Sequence, residues 1–435
     1  MAELKDKIIE KYTSTENLNN GEPVEIKHIR DKAKEYFRTF GFPNRKMEDW
    51  KFFDSKPIIT NDFKLVTEKQ EIEKSVLNNF LIQDLKANLI VLINGEYSKE
   101  NSQIITERKN LFIGSLKEGM KTKPYILGKY FAKYADYNAD GFTALNTAFA
   151  PDGAFIYIPK GNLLKDPVII LNILDSRKSK VLGQPRNIII AEANSDVHII
   201  EEYYSIGEND VFSNVVTEIH TDENANVQYY KIQNEEANAF HVGTTQVFQE
   251  RNSIFTSITL SWGGSVTRNN LNSYMNSEGI ECNFKGLYFL TGKQHVDNHT
   301  LADHANPNCN SNELYKGILA DESNGVFNGK IMVRQDAQKT NAYQMNKNIL
   351  LSDTASINSK PQLEIFADDV KCSHGATTGQ IDKEQLFYLK ARGIGEKEGK
   401  KLLIFAFANE IIEDIEVPEL KEYLVNRLNE KLEKL

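Results

Sequence analysis

A cysteine and a histidine two residues apart, Cys372 and His374, lie in the stretch Asp368-Asp369-Val370-Lys371-Cys372-Ser373-His374-Gly375. In an extended segment Val370, Cys372 and His374 point to one side, because side chains alternate along a strand. Apolar positions fall on odd numbers from Leu363 to Ala367 and on even ones from Val370. The phase therefore slips at Asp368-Asp369, and a bend is expected there. A thiolate and an imidazole about 6.6 Å apart on one face suit iron or an iron–sulfur unit. Two ligands cannot close a cluster, which usually wants four, so a metal role would need ligands from another surface, most simply a partner chain. On residue types alone, a Cys-x-His pair is more often a packing feature than a site.

Two other stretches resemble sites less closely. His295, His299, His304 and Cys309 have a superficial zinc-like spacing. On a strand, however, residues four apart lie about 13 Å from each other, too far to share one ion, so separate histidines on walls and corners are expected. The run Gly393-Ile394-Gly395-Glu396-Lys397-Glu398-Gly399-Lys400-Lys401 hints at a phosphate loop. Ile394 occupies the place of its first glycine and Lys401 that of the magnesium-binding Ser or Thr, so this chain is not expected to hydrolyse ATP. No G-x-S-x-G elbow and no cysteine pair at redox or zinc spacing occurs.

The elements that must position these residues fall into four stretches. Residues 1–87 read as an N-terminal helical region, with helices over Lys5 to Tyr12 and Ile26 to Phe40; in the second, Ile29, Ala33, Tyr36 and Phe37 can share a face, and Gly41 and Pro43 stop it. Residues 88–141 form a mixed segment opening on the apolar run Leu89–Ile93. Residues 142–375 form the core, in which short β-favouring runs alternate with Asn-, Asp- and Gly-rich corners. Sandwiches, barrels and parallel β-helices all give that texture. The phrases Ala193-Asn194-Ser195-Asp196-Val197 and Asn224-Ala225-Asn226-Val227 recur thirty residues apart, which favours a β-helix built one strand-corner-strand unit per turn. Residues 376–435 return to helix, where Leu420, Leu424, Leu428 and Leu432 form a stripe expected to bury against the chain's own body.

Composition narrows the function classes. The formal charge of −9 opposes broad binding to nucleic acid. No apolar run is long enough to span a membrane. The start, MAELKDKIIEKY, lacks the apolar core of a secretion signal, and three scattered cysteines (Cys282, Cys309, Cys372) suit a reducing compartment, so a cytoplasmic protein is expected.

The stretch Pro361 to Ile394, PQLEIFADDVKCSHGATTGQIDKEQLFYLKARGI, resembles the signature of the SufB/SufD family, the related scaffold subunits of the Suf iron–sulfur assembly machinery. It is similar to the SufD branch in carrying Lys371-Cys372-Ser373-His374-Gly375-Ala376-Thr377 in place of the Val-Glu-His-Glu-Ala-Thr form typical of SufB, and Phe387-Tyr388-Leu389 in place of Phe-Tyr-Cys. Arg45-Lys46-Met47-Glu48-Asp49-Trp50-Lys51, Phe142 to Pro159, His304-x4-Cys309 with Tyr315-Lys316-Gly317, and Asn346-x-Asn348-Ile349-Leu350-Leu351-Ser352 match further family phrases.

The resemblance implies a mainly β protein: a right-handed parallel β-helix core flanked by N-terminal and C-terminal α-helical regions. It implies a non-catalytic scaffold that pairs with SufB through the end of its β-helix, or forms a homodimer when isolated, and whose C-terminal region docks the ABC-type ATPase SufC, with Leu386, Phe387, Leu389 and Arg392 as docking candidates. His374 matches the family histidine implicated in nascent cluster formation, and Cys372 matches a neighbouring family cysteine. A transient Fe–S cluster would be shared with the partner, and none would be held tightly by this chain alone. Sulfur would arrive through SufB from a cysteine desulfurase.

Two other classes share the fold. A β-helix carbohydrate enzyme would need paired carboxylates in a groove, and Asp368 and Asp369, being adjacent, point to opposite faces of a strand. A purely structural interaction protein differs only in whether Cys372 and His374 touch iron.

Overall fold

The structure is a computed structural model that describes residues 8–10, 12–13, 22–65 and 71–435. Of the helix expected over Lys5 to Tyr12, residues 8–10 and Tyr12 are helical and the remainder lies outside the described residues. The core is a parallel β-solenoid. Successive strands alternate between two sheets, and every strand from Asp196–Ile206 to Asn324–Val333 is flanked on both sides by parallel neighbours from the turns before and after.

Asparagine corners set the turn length. Asn194, Asn224 and Asn252 adopt φ of 57°, 54° and 54°. That left-handed conformation is one asparagine tolerates better than most residues. Their side chains stack, with Asn224 Nδ2 donating to Asn194 Oδ1 at 3.2 Å and Asn252 Nδ2 to Asn224 Oδ1 at 3.3 Å. The recurring phrases at Asn194 and Asn224 are thus equivalent corners one turn apart, with Asp196 in register with Asn226 and Asn226 with Ile254.

The space between the sheets holds one continuous apolar column that includes Ile170, Ile199, Val227, Phe255, Phe284, Leu319 and Val333. Two tyrosines pack there by a reciprocal device. Gly286 pairs with Tyr315 and Tyr288 with Gly317 across neighbouring strands, so each ring lies over a glycine, and a Cβ at either glycine would run into the ring. Inside, Glu201 receives the hydroxyls of Tyr203 and Tyr229, and Asn187 Nδ2 at 2.7 Å.

Helical layers cover both outer faces. On one, the helix Val24–Phe40 and the buried helix Gly141–Phe149 join Trp50 and Phe53 over Leu182, Phe212 and Val242. The first of these helices buries Ile26, Arg30, Ala33 and Phe37, so Ile29 and Tyr36 only flank the buried face. Arg30 is there because its guanidinium reaches the Thr147 carbonyl at 3.1 Å and the Glu22 carboxylate at 2.8 Å. The Asn88–Ile93 run pairs in parallel with Val168–Asp175 and so belongs to the first turn of the solenoid.

On the other face lie Glu396–Ile412 and Pro418–Glu433. Leu420, Leu424, Leu428 and Leu432 are buried against Ile258, Leu260, Trp262 and Phe289, as the stripe requires. Lys316 reaches the Phe407 carbonyl at 2.9 Å, and Lys431 the Trp262 carbonyl at 2.8 Å, tying helices to sheet. Beneath the last helix Tyr204 donates to Glu202 at 3.1 Å and meets Tyr423 at 2.8 Å. Burial pushes the Glu202 carboxyl up to about 8.

Two outcomes follow. Gly286→Ala should lower the urea midpoint through overpacking, corresponding to a loss of about 1–3 kcal/mol in unfolding free energy. Gly128→Ala, on a helix with open space around the position, should not lower it. Glu202 has a raised carboxyl, so its contribution is complete at acid pH and is lost as pH rises from the ordinary carboxylate range through about 8. Hydrogen exchange in Pro418–Glu433 should therefore quicken, relative to the core strands, between about pH 5 and 8, and Glu202→Gln should flatten that rise.

Candidate functional site

A solenoid satisfies each strand with its neighbours except at its ends, and the two ends here differ. At the first, short antiparallel strands close the sheets: Glu96–Tyr97 lies beside Asn88–Ile93, and Phe112–Ser115 beside Ala154–Ile158. At the second, Val370–Gly379 pairs in parallel with Thr340–Leu350 on one side and with no described strand on the other. The expected bend at Asp368-Asp369 is the corner that carries the chain from Gln362–Ile365, in one sheet, to this last strand in the other.

Cys372 and His374 are in register with Ala342 and Gln344, two buried residues of the strand beneath. Both therefore stand on the inward side of the final rung. Cys372 is half-buried against the interior column, and burial pushes its thiol up. His374 is exposed. Around them the end carries exposed apolar groups: Tyr343 on the strand below, and Ile365 and Phe366 at the close of the other sheet. The pair can offer one sulfur and one imidazole nitrogen to a group arriving at the open end, and the rest of any ligand set must come with whatever covers that end.

Under this rung the interior changes character. Gln344, Asn346 and Asn348 all point inward and are buried. Asn346 Oδ1 accepts from Asn348 Nδ2 and from Ser359 Oγ, each at 2.8 Å, while Tyr288 donates to Asn348 Oδ1. Gln344 Nε2 donates to Glu313 Oε2 at 2.6 Å, and burial pushes the Glu313 carboxyl up to about 7. Sequence reasoning missed this layer because Met345 and Ile349 suggest the opposite inward face.

The helix Lys383–Ala391 follows the last strand and buries none of its residues. Of the four docking candidates, Leu386 and Leu389 turn toward Gly399 on the next helix. Phe387, 73 % exposed, and Arg392 face solvent. Tyr388, absent from the sequence candidates, joins them: Arg392 donates to its hydroxyl at 3.0 Å and its guanidinium sits 5.0 Å from the ring centre. The glycine-rich run at Gly393 links two helices, whereas a phosphate loop follows a strand.

The zinc-like set disperses as expected. His295, Asp297 and His299 lie on the outward side of one strand, while His304 points inward to Ser311 at 2.8 Å. Burial opposes ionisation of Asp297, yet Arg268 at 2.6 Å and His299 at 3.1 Å hold its carboxyl well below the usual range. Arg268 in turn lies 4.4 Å from the Trp50 ring centre. Among the described residues no group of three His, Cys, Asp or Glu side chains could hold a metal ion, and no helix is long and apolar enough to cross a membrane.

Comparison with known proteins agrees with this geometry. Residues 173–407 match the family model of the SUF system FeS cluster assembly SufBD core domain, and residues 2–170 match that of the SufBD protein N-terminal region. The iron–sulfur cluster assembly SufBD family protein slr0076 of Synechocystis is 32% identical over 90% of this chain and 88% of its own. The iron–sulfur cluster assembly protein SufD of Escherichia coli is 29% identical over 90% of each chain, and SufD of Bacillus subtilis 25% identical over 97% of this chain and 98% of its own. Two family models that together run from the second residue into the C-terminal helices, joined by relatives of matching length, place this chain in the SufB/SufD family of iron–sulfur cluster assembly proteins.

Proposed function

We propose that this chain is the SufD-type scaffold of a Suf assembly complex, non-catalytic itself and working in the cytoplasm. It pairs with a SufB subunit across the open end of its solenoid and docks the SufC ATPase through the surface around Lys383–Ala391. The observation that carries this reading is the bare final strand, Val370–Gly379, holding Cys372 and His374 on its inward side. Unpaired strand edges are normally covered or blunted. Among the described residues this one has no closing strand, it contains no proline, and a second solenoid of the same rise would continue its ladder. The nascent cluster is cargo, held between His374, Cys372 and ligands from the partner for as long as the two ends stay together. Phe387, Tyr388 and Arg392 form an exposed aromatic and guanidinium patch of the composition that anchors protein interfaces, with Leu386 and Leu389 holding the helix beneath them.

Anaerobic co-purification at native expression tests the reading directly. Recovery of an ABC-type ATPase and a second β-helix subunit, with iron and sulfide, is expected. Recovery of the chain alone or as a homodimer, with no ATPase even after mixing purified parts, would sink it. Within the recovered complex His374→Ala should remove most of the reconstituted iron and sulfide without altering subunit composition. Phe387→Asp should weaken ATPase binding by about 2 kcal/mol, the scale of an interface hot spot. Because that side chain is exposed, the melting temperature of the isolated chain should hold.

A further inference from the structure

Four residues stack in register on the inward side of one sheet, ending at the open rung: Phe284, Glu313, Gln344 and His374. The last three make a polar column leading inward from the exposed imidazole. Its middle member is built into place. Gln344 Nε2 donates to Glu313 Oε2 at 2.6 Å, and the facing wall carries Gly329, where a Cβ would collide with the Gln344 amide. The neighbouring inward amides, Asn346 and Asn348, both have their oxygens engaged. Gln344 Oε1 alone among the three is buried with no donor among the described residues.

A buried carbonyl without a donor is costly, on the order of 1–3 kcal/mol, so its retention calls for a partner. With Nε2 committed to the rung beneath, the imidazole in register above it is an adjacent side chain that can supply a donor. A histidine that ligates a metal through one ring nitrogen characteristically donates the N–H of the other to a carbonyl or carboxylate, which fixes its tautomer and orientation. We infer that Gln344, itself held by Glu313, is a positioning residue for His374, accepting the ring N–H remote from the metal. This deepens the reading of His374 as a cluster ligand and rests on it.

The test uses the full chain with 15N-labelled histidine, His374 being assigned by its absence in His374→Ala, and Zn2+ as a diamagnetic probe. Ring 15N shifts report the tautomer, and titration reports affinity. Gln344→Leu should abolish the tautomer preference of His374 and weaken Zn2+ binding by about 10–100-fold. Gln344→Glu, which keeps an acceptor, should retain both. Gly329→Ala, which displaces the amide from the opposite wall, should reproduce the leucine variant in part and serves if that variant does not fold. Unchanged tautomer and affinity in Gln344→Leu, while His374→Ala loses Zn2+ binding, would overturn this inference and leave the ligand role standing. Unchanged Zn2+ binding in His374→Ala would remove the ligand role itself, and this inference with it.

Discussion

Each turn of a parallel solenoid is held by backbone hydrogen bonds to the turn before and the turn after, and the remaining features of the molecule answer to that ladder. It fixes the register, so that a corner asparagine meets a corner asparagine and a glycine meets a tyrosine ring. It also guarantees that a finite stack has two unsatisfied ends. This chain resolves the first with antiparallel strands that reverse direction and leave only short edges. The second it leaves as a ten-residue strand with one edge unpaired among the described residues. The asymmetry puts Cys372 and His374 at the end that carries the longer open edge among the described residues.

The ladder is indifferent to what lies on the sheets' faces, and the chain uses that freedom in two ways. The outer faces are apolar where helices land and are pinned there by polar groups, Lys316 and Lys431 on one side and Arg268 beneath Trp50 on the other. Each of these cations is hydrogen-bonded or stacked, as a buried charge must be to avoid an uncompensated desolvation cost. Inside, carboxylates such as Glu201 sit among hydroxyls and amides matched to them. Such pairs add little net stability, but a one-residue slip of register would leave each of them unpaired, so they penalise misaligned stacking strongly.

That division of labour decides what could be read from sequence. The turns were legible because left-handed corners select asparagine, and the repeat at Asn194 and Asn224 is that selection made visible. The C-terminal leucine stripe was legible because a helix must bury one face. The Cys372 and His374 pair, with the bend before it, was legible from strand alternation alone. Gln344 and Asn346 were not. Hydrophobic alternation over Thr340–Leu350 assigns Tyr343, Met345 and Ile349 to the interior, yet Tyr343 is 48 % exposed and Asn346 fully buried. The rule fails because it assumes an apolar interior, and here the strand turns amides inward, Asn346 and Asn348 bonded to each other and Gln344 to Glu313. Phe387 and Leu386 were likewise inseparable, since the helix fully buries none of its residues and its packed side is only Leu386 and Leu389 against Gly399.

The amide layer has a physical consequence for the open end. An apolar interior ending at a bare rung would expose hydrocarbon to water whenever the end was uncovered, at about 25 cal/mol for each Å². Amides that already hydrogen-bond to Ser359, Tyr288 and Glu313 lose far less on wetting, because water can join bonds that are in place. Exposed hydrocarbon remains at Tyr343, Ile365 and Phe366, while Ile357, Leu363, Val370 and Cys372 stay partly buried against the interior column. Permanent interfaces resemble a domain core cut in half, apolar throughout. An end whose floor is partly made of amides can instead close on a second surface and part from it again while exposing less hydrocarbon than a wholly apolar core would.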